Sequence, residues 1–124
     1  MSTPELSRLL AEIGLMAAGY GLNEHADAIL SAVQDTNPSS AAPVIGRALV
    51  LMNGGQHDEA ARLLERGEAA VDERDRAALQ SLRGWALQKA GMAAESERVL
   101  SGVAEGEGGP AELAAALLGY SGRR

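Results

Sequence analysis

The stretch RALVLMNGGQHDEAARLL, residues 47–64, reads as helix, glycine turn, helix. Its first arm, with the residues just before it, sets Val44, Ile45, Ala48, Leu51 and Met52 at helical spacing. Gly55 stops that arm, because glycine tolerates the positive φ with which many helices end. A second arm returns with Ala60, Leu63 and Leu64. Two other stretches fit the same template: IGLMAAGYGLNEHADAIL, residues 13–30, and RGWALQKAGMAAESERVL, residues 83–100. Gly21, Gly55 and Gly91 coincide, at spacings of 34 and 36 residues. Small residues coincide at Gly14, Ala48 and Gly84, and again at Ala26, Ala60 and Ser96. Leu30, Leu64 and Leu100 coincide as well.

The outer arms carry the same periodicity. In the first unit it runs through Leu6, Leu9, Leu10, Ile13 and Ala17, then Ala26, Ile29, Leu30 and Val33. In the third it runs through Leu79, Leu82, Gly84, Leu87 and Ala90, then Val99, Leu100 and Val103. Small residues at fixed positions let paired helices approach closely. This is the physics of the tetratricopeptide repeat, whose usual period is 34 residues. The aromatic positions of that repeat are here mostly Leu or Ala, and a generic helical bundle is the alternative. The expected fold is therefore all-α, a tetratricopeptide-like array with units at about 5–35, 41–72 and 76–103.

The connections agree with this division. DTNPSSAAP, 35–43, holds turn and cap residues. ERGEAAVDERDR, 65–76, reads as an extension of the second arm followed by a solvated link. SGVAEGEGGP, 101–110, reads as a flexible joint. Pro110 suits the first turn of a last helix, 111–120, which would cap the apolar end of the array. Arg123 and Arg124 read as a frayed tail.

Composition narrows the function. The 124 residues make one domain. Only Trp85, Tyr20 and Tyr120 are aromatic, and Ala and Leu dominate where strands would use aromatic and β-branched residues. The chain has no cysteine, which excludes disulfides, thiolate metal sites and cysteine nucleophiles. A formal charge of −6 disfavours nucleic acid. No apolar run approaches the ~20 residues of a membrane span, so no membrane insertion is expected. MSTPELSRLL lacks the pattern of a Sec signal, and the expected compartment is the cytoplasm.

No enzyme is expected, and no cofactor or metal. His25 and His57 each lie beside carboxylates: Glu24 and Asp27 around the first, Asp58 and Glu59 around the second. A two-histidine carboxylate metal site, and with it a small metal-dependent enzyme, is the competing reading. The plainer one is a pair of solvated helix starts, where acidic side chains suit the dipole. GEGGP, 106–110, has no following Lys-Ser or Lys-Thr and is no phosphate loop. Asp72, Glu73 and Asp75 alternate with Arg74 and Arg76, as on an ion-paired surface helix.

What remains is a surface. In the repeat register Leu15, Leu49 and Trp85 share one position on the first helices. Ala18, Met52 and Gln88 share the next turn, and Ala11, Ile45 and Ser81 the turn before. These positions make an apolar groove for a partner helix; the alternative is that they are core. Of the Lys, Arg and Asn set that clamps a free C-terminus, only Asn53 is placed on this face.

The segments LLAEIGLMAAG (9–19), HADAIL (25–30), ALVLMNGGQHDEA (48–60) and WALQKAGMAAESERVL (85–100) resemble the small tetratricopeptide-like chaperones of type III secretion needle subunits. The likeness runs over about residues 6–103. It implies a cytoplasmic protein of a Gram-negative bacterium that holds the needle subunit's amphipathic C-terminal helix and prevents early polymerisation. It also implies a small helical co-chaperone packed on the first repeat. Carried over by position, the groove residues would be Leu15, Ile45, Leu49, Met52 and Trp85. The charged link at 65–76 and the glycine-rich stretch at 101–110 depart from the family. A chaperone of a secreted translocator, or a repeat scaffold with no export role, are the alternatives. Self-association of the free chain through its uncovered groove is expected too.

Overall fold

The computed structural model describes residues 2–122. There the chain forms seven helices: α1 (Thr3–Gly19), α2 (Asn23–Thr36), α3 (Ala42–Asn53), α4 (His57–Gly67), α5 (Glu73–Lys89), α6 (Ala93–Ala104) and α7 (Gly109–Gly122). No strand occurs among the described residues. None of these helices is long and apolar enough to cross a membrane. The Arg123–Arg124 tail lies outside the described residues.

Three helix ends share one construction. Gly21, Gly55 and Gly91 stand at φ of 79°, 79° and 82°. That conformation lets the next amide turn back, so Leu22 N–H reaches the Ala17 carbonyl at 2.8 Å, Gln56 the Leu51 carbonyl at 2.8 Å and Met92 the Leu87 carbonyl at 2.9 Å. Otherwise orphaned carbonyls are satisfied in this way. The carbonyls of Leu22, Gln56 and Met92 then accept from Ala26, Ala60 and Ser96, at 2.9, 3.0 and 3.0 Å, and start the next helix. One short segment thus ends one helix and opens another, three times.

The small positions work as read. Leu30, Leu64 and Leu100 are buried to 1% exposure or less. A Cβ on Gly14 would stand 2.7 Å from Leu30 Cδ2, and one on Gly84 would overlap Leu100. The Ser96 hydroxyl donates to the Gly84 carbonyl at 2.6 Å, in the buried α5–α6 contact. Leucine knobs therefore seat against bare backbone, and the hairpins close tightly.

Neighbour relations repeat along the chain. α1 packs on α2 and α3, α3 on α4 and α5, and α5 on α6 and α7. Each even helix also touches the odd helix that follows it, and no two even helices meet among the described residues. Apolar clusters follow one another along the chain: Ala18, Ala26 and Leu30, then Met52, Leu64 and Leu79, then Leu100, Val103 and Ala114.

Several boundaries differ from the sequence reading: α4 ends at Gly67 although the second unit reads to about 72, and the last helix spans Gly109–Gly122 rather than 111–120. The third hairpin begins at Glu73 rather than at 76: Asp72 is extended, and Glu73 and Asp75 occupy the first turn, where carboxylates suit the helix dipole. α6 runs through 101–104 because Val103 is buried beside Leu100 and Ala114. The joint before α7 therefore shrinks to 105–108, with Gly108 at φ 89°.

Candidate partner-binding surface

Leu82 and Trp85 are one turn apart on α5, and Leu113 and Leu117 one turn apart on α7. These four side chains line a cleft of roughly 410 Å³. Leu113 is 49% exposed, and Leu82, Trp85 and Leu117 are half-buried. Polar contacts set the spacing of the two helices. The Ser81 hydroxyl is shared between the Ala77 and Pro110 carbonyls, each at 3.0 Å. Gln88 Nε2 donates to the Leu117 carbonyl at 3.3 Å. Lys89 Nζ lies 5.8 Å from the Trp85 ring centroid, within cation–π range. The cleft offers contact area and shape to an apolar ligand, with a cation at its edge.

The residues assigned to a groove from the repeat register fall into three groups. Leu15 and Leu49 are half-buried against the first core cluster, and Ile45 and Trp85 against the middle one. Ala18 is wholly buried, and its carbonyl accepts from Asn53 Nδ2 at 2.8 Å, which fastens α1 to α3. Met52 is 8% exposed and belongs to the middle cluster. Gln88 is half-buried and engaged by α7. Ala18, Met52 and Gln88 share a register position: Ala18 is tied to α3 and Gln88 to α7, while Met52 lies in the middle cluster. Trp85 is brought together with Leu113 and Leu117, which the register had not paired with it. The spacing of Leu113 and Leu117 by four was the available signal, but Ala and Leu on every side of α7 blur it.

A second depression, lined by Asp58, Arg62, Glu65, Arg83 and Glu95 among others, lies on α4–α6. Its arginines are matched: Arg62 to Asp58 at 3.6 Å, Arg83 to Glu65 at 3.5 Å, and Arg83 Nε to Glu68 at 3.1 Å. Gln80 Nε2 completes the Glu68 carboxylate at 2.8 Å. His25 is exposed at the start of α2, and His57 is half-buried at the start of α4. The structure does not bring them into one cluster: among the described residues no group of three or more His, Asp or Glu side chains is arranged to hold a metal ion.

No known protein family, curated protein or solved structure matches this chain.

Proposed function

We propose that the chain is a tetratricopeptide-like, non-enzymatic chaperone that holds an amphipathic helix. The reading of the fold as that repeat is supported by the three left-handed glycines, the three equivalent leucines and the recurring helix neighbours. The observation that carries the function is the Leu82–Trp85–Leu113–Leu117 cleft, whose lining side chains are all apolar. A helix lays an i, i+3, i+4, i+7 stripe on such a surface. Trp85 supplies the large rigid anchor typical of binding hot spots. Leu15, Ile45 and Leu49, half-buried on the other odd helices, are further candidate contacts.

The proposed client is a type III secretion needle subunit, held in the cytoplasm of a Gram-negative bacterium, with a small helical co-chaperone as second partner. Resemblance of residues 6–103 to that chaperone family supports the choice of client. Co-expression with the needle subunit of the same bacterium tests it. A soluble complex that keeps the subunit from polymerising is the expected result. A subunit that polymerises equally with and without this chain rejects the client, and binding to a translocator instead would move the protein to that alternative.

A further inference from the structure

The α5–α7 cleft has a direction. The Ser81 hydroxyl of α5 donates to the Pro110 carbonyl of α7, and Gln88, seven residues on, donates to the Leu117 carbonyl, also seven residues on. The two helices therefore run parallel without slipping, and their C-terminal ends lie at the same end of the cleft. Lys89 stands at that end, exposed, with its Nζ 5.8 Å from the Trp85 ring centroid. It makes no ion pair among the described residues. The other cation on this stretch of α5, Arg83, is turned to Glu65 and Glu68. Carboxylates are confined to the opposite end. None follows Asp75 on α5 or Glu112 on α7, whereas Asp72, Glu73, Asp75, Glu107 and Glu112 lie at or just before the starts of the two helices. Arg74 and Arg76 there are already engaged, by Asp72 at 3.7 Å and by the Glu68 carbonyl at 3.1 Å. An apolar lining thus lies between a cationic C-terminal end and an acidic N-terminal end.

We propose, resting on the helix-binding function above, that the client helix lies antiparallel to α5 and α7, with an acidic first turn against Lys89. Two effects fix this direction. A helix carries partial positive charge at its N-terminus and partial negative charge at its C-terminus. Antiparallel seating therefore brings opposite dipole ends together at both ends of the cleft. Side-chain charge acts in the same sense. Helices favour carboxylates in the first turn and Lys or Arg in the last. Seated antiparallel, the client's first turn meets Lys89 and its last turn meets the acidic end. A parallel seating would set its acidic first turn beside Glu107 and Glu112 and leave Lys89 without a partner. Lys89 is an exposed charge at the rim, so it governs orientation and salt dependence more than total affinity.

Three synthetic amphipathic helices with one Leu stripe on an Ala-rich background test the direction, with Trp85 fluorescence as the readout. The first peptide carries glutamates in its first turn, the second carries lysines there, and the third carries glutamates in its last turn only. The full wild-type chain should bind the first peptide ~5-fold more tightly than the second at low salt, and the gap should close at high salt. Lys89→Glu should reverse that preference and leave the affinity for the third peptide unchanged. The reversal separates contact with Lys89 from any difference in peptide helicity. Lys89→Gln should abolish the preference, and it serves if the charge reversal disturbs the fold. Peptides bound with no first-turn preference, or a Lys89→Glu effect confined to the third peptide, overturn the antiparallel seating and leave the cleft as a helix site. Binding of none of the three peptides overturns both the seating and the helix-binding function.

Discussion

Leu100 occupies the space that a Cβ on Gly84 would need, and the same leucine–glycine relationship recurs between Leu30 and Gly14. The hairpins close because these glycines are bare. Adding a methyl at Gly84 should therefore destabilise, although alanine is the better helix former. Helix propensity returns about 1 kcal/mol, while overpacking costs about 1–3 kcal/mol. Gly102 is the control: it lies in α6 with nothing within 4 Å of a built Cβ. Gly84→Ala should lower the denaturant midpoint, and Gly102→Ala should raise stability by about 0.5–1 kcal/mol.

Gly55 is expected to be costly to replace for a different reason. Its Cβ would meet nothing, but its φ of 79° is left-handed. Gly55→Ala should cost about 1–2 kcal/mol in urea unfolding, and Gly55→Asn less, because asparagine tolerates that conformation.

Ser81 ties α5 to the start of α7 through the Pro110 carbonyl. Ser81→Ala should cost about 1 kcal/mol of stability. Hydrogen exchange distinguishes its location: amides of α7 should exchange faster, and those of α1 and α2 should be unchanged.

Arg83 and Glu68 are only 14% and 16% exposed and meet at 3.1 Å. Arg83→Ala should cost more than the about 0–1 kcal/mol of an exposed pair, since it strands a half-buried carboxylate. Arg74 and Asp72, at 84% and 50% exposure, form the comparison. Arg74→Ala should leave the unfolding curve within experimental error of wild type.

Much of the fold was legible because it rests on local rules. Gly21, Gly55 and Gly91 mark the turns by their conformational freedom, and Leu30, Leu64 and Leu100 mark the tight contacts by their spacing to small residues. The surface was less legible. A repeat register assigns the same face to Ala18, Met52 and Gln88, but Ala18 and Met52 are buried and Gln88 is held by α7. Leu6, Leu9 and Ile13 fit the apolar periodicity of the first arm, yet they are exposed. Periodicity alone does not separate exposed Leu9 from its buried register equivalent Leu79. The pairing of Trp85 with Leu113 and Leu117 depends on how α7 folds back after 105–108, a tertiary event with no local signature.

The most direct measurement is a titration of the chain with the needle subunit's C-terminal helix as a peptide, followed through the fluorescence of Trp85, the chain's single tryptophan. Leu113→Glu runs in parallel, because Leu113 is 49% exposed and a carboxylate there is tolerable until an apolar helix covers it. The expected result is a saturable blue shift with one peptide per chain. Leu113→Glu should bind at least ~10-fold more weakly, about 1.4 kcal/mol, with its helical content intact. Unchanged Trp85 emission, or equal affinity of Leu113→Glu and wild type, would contradict a client seated in the α5–α7 cleft.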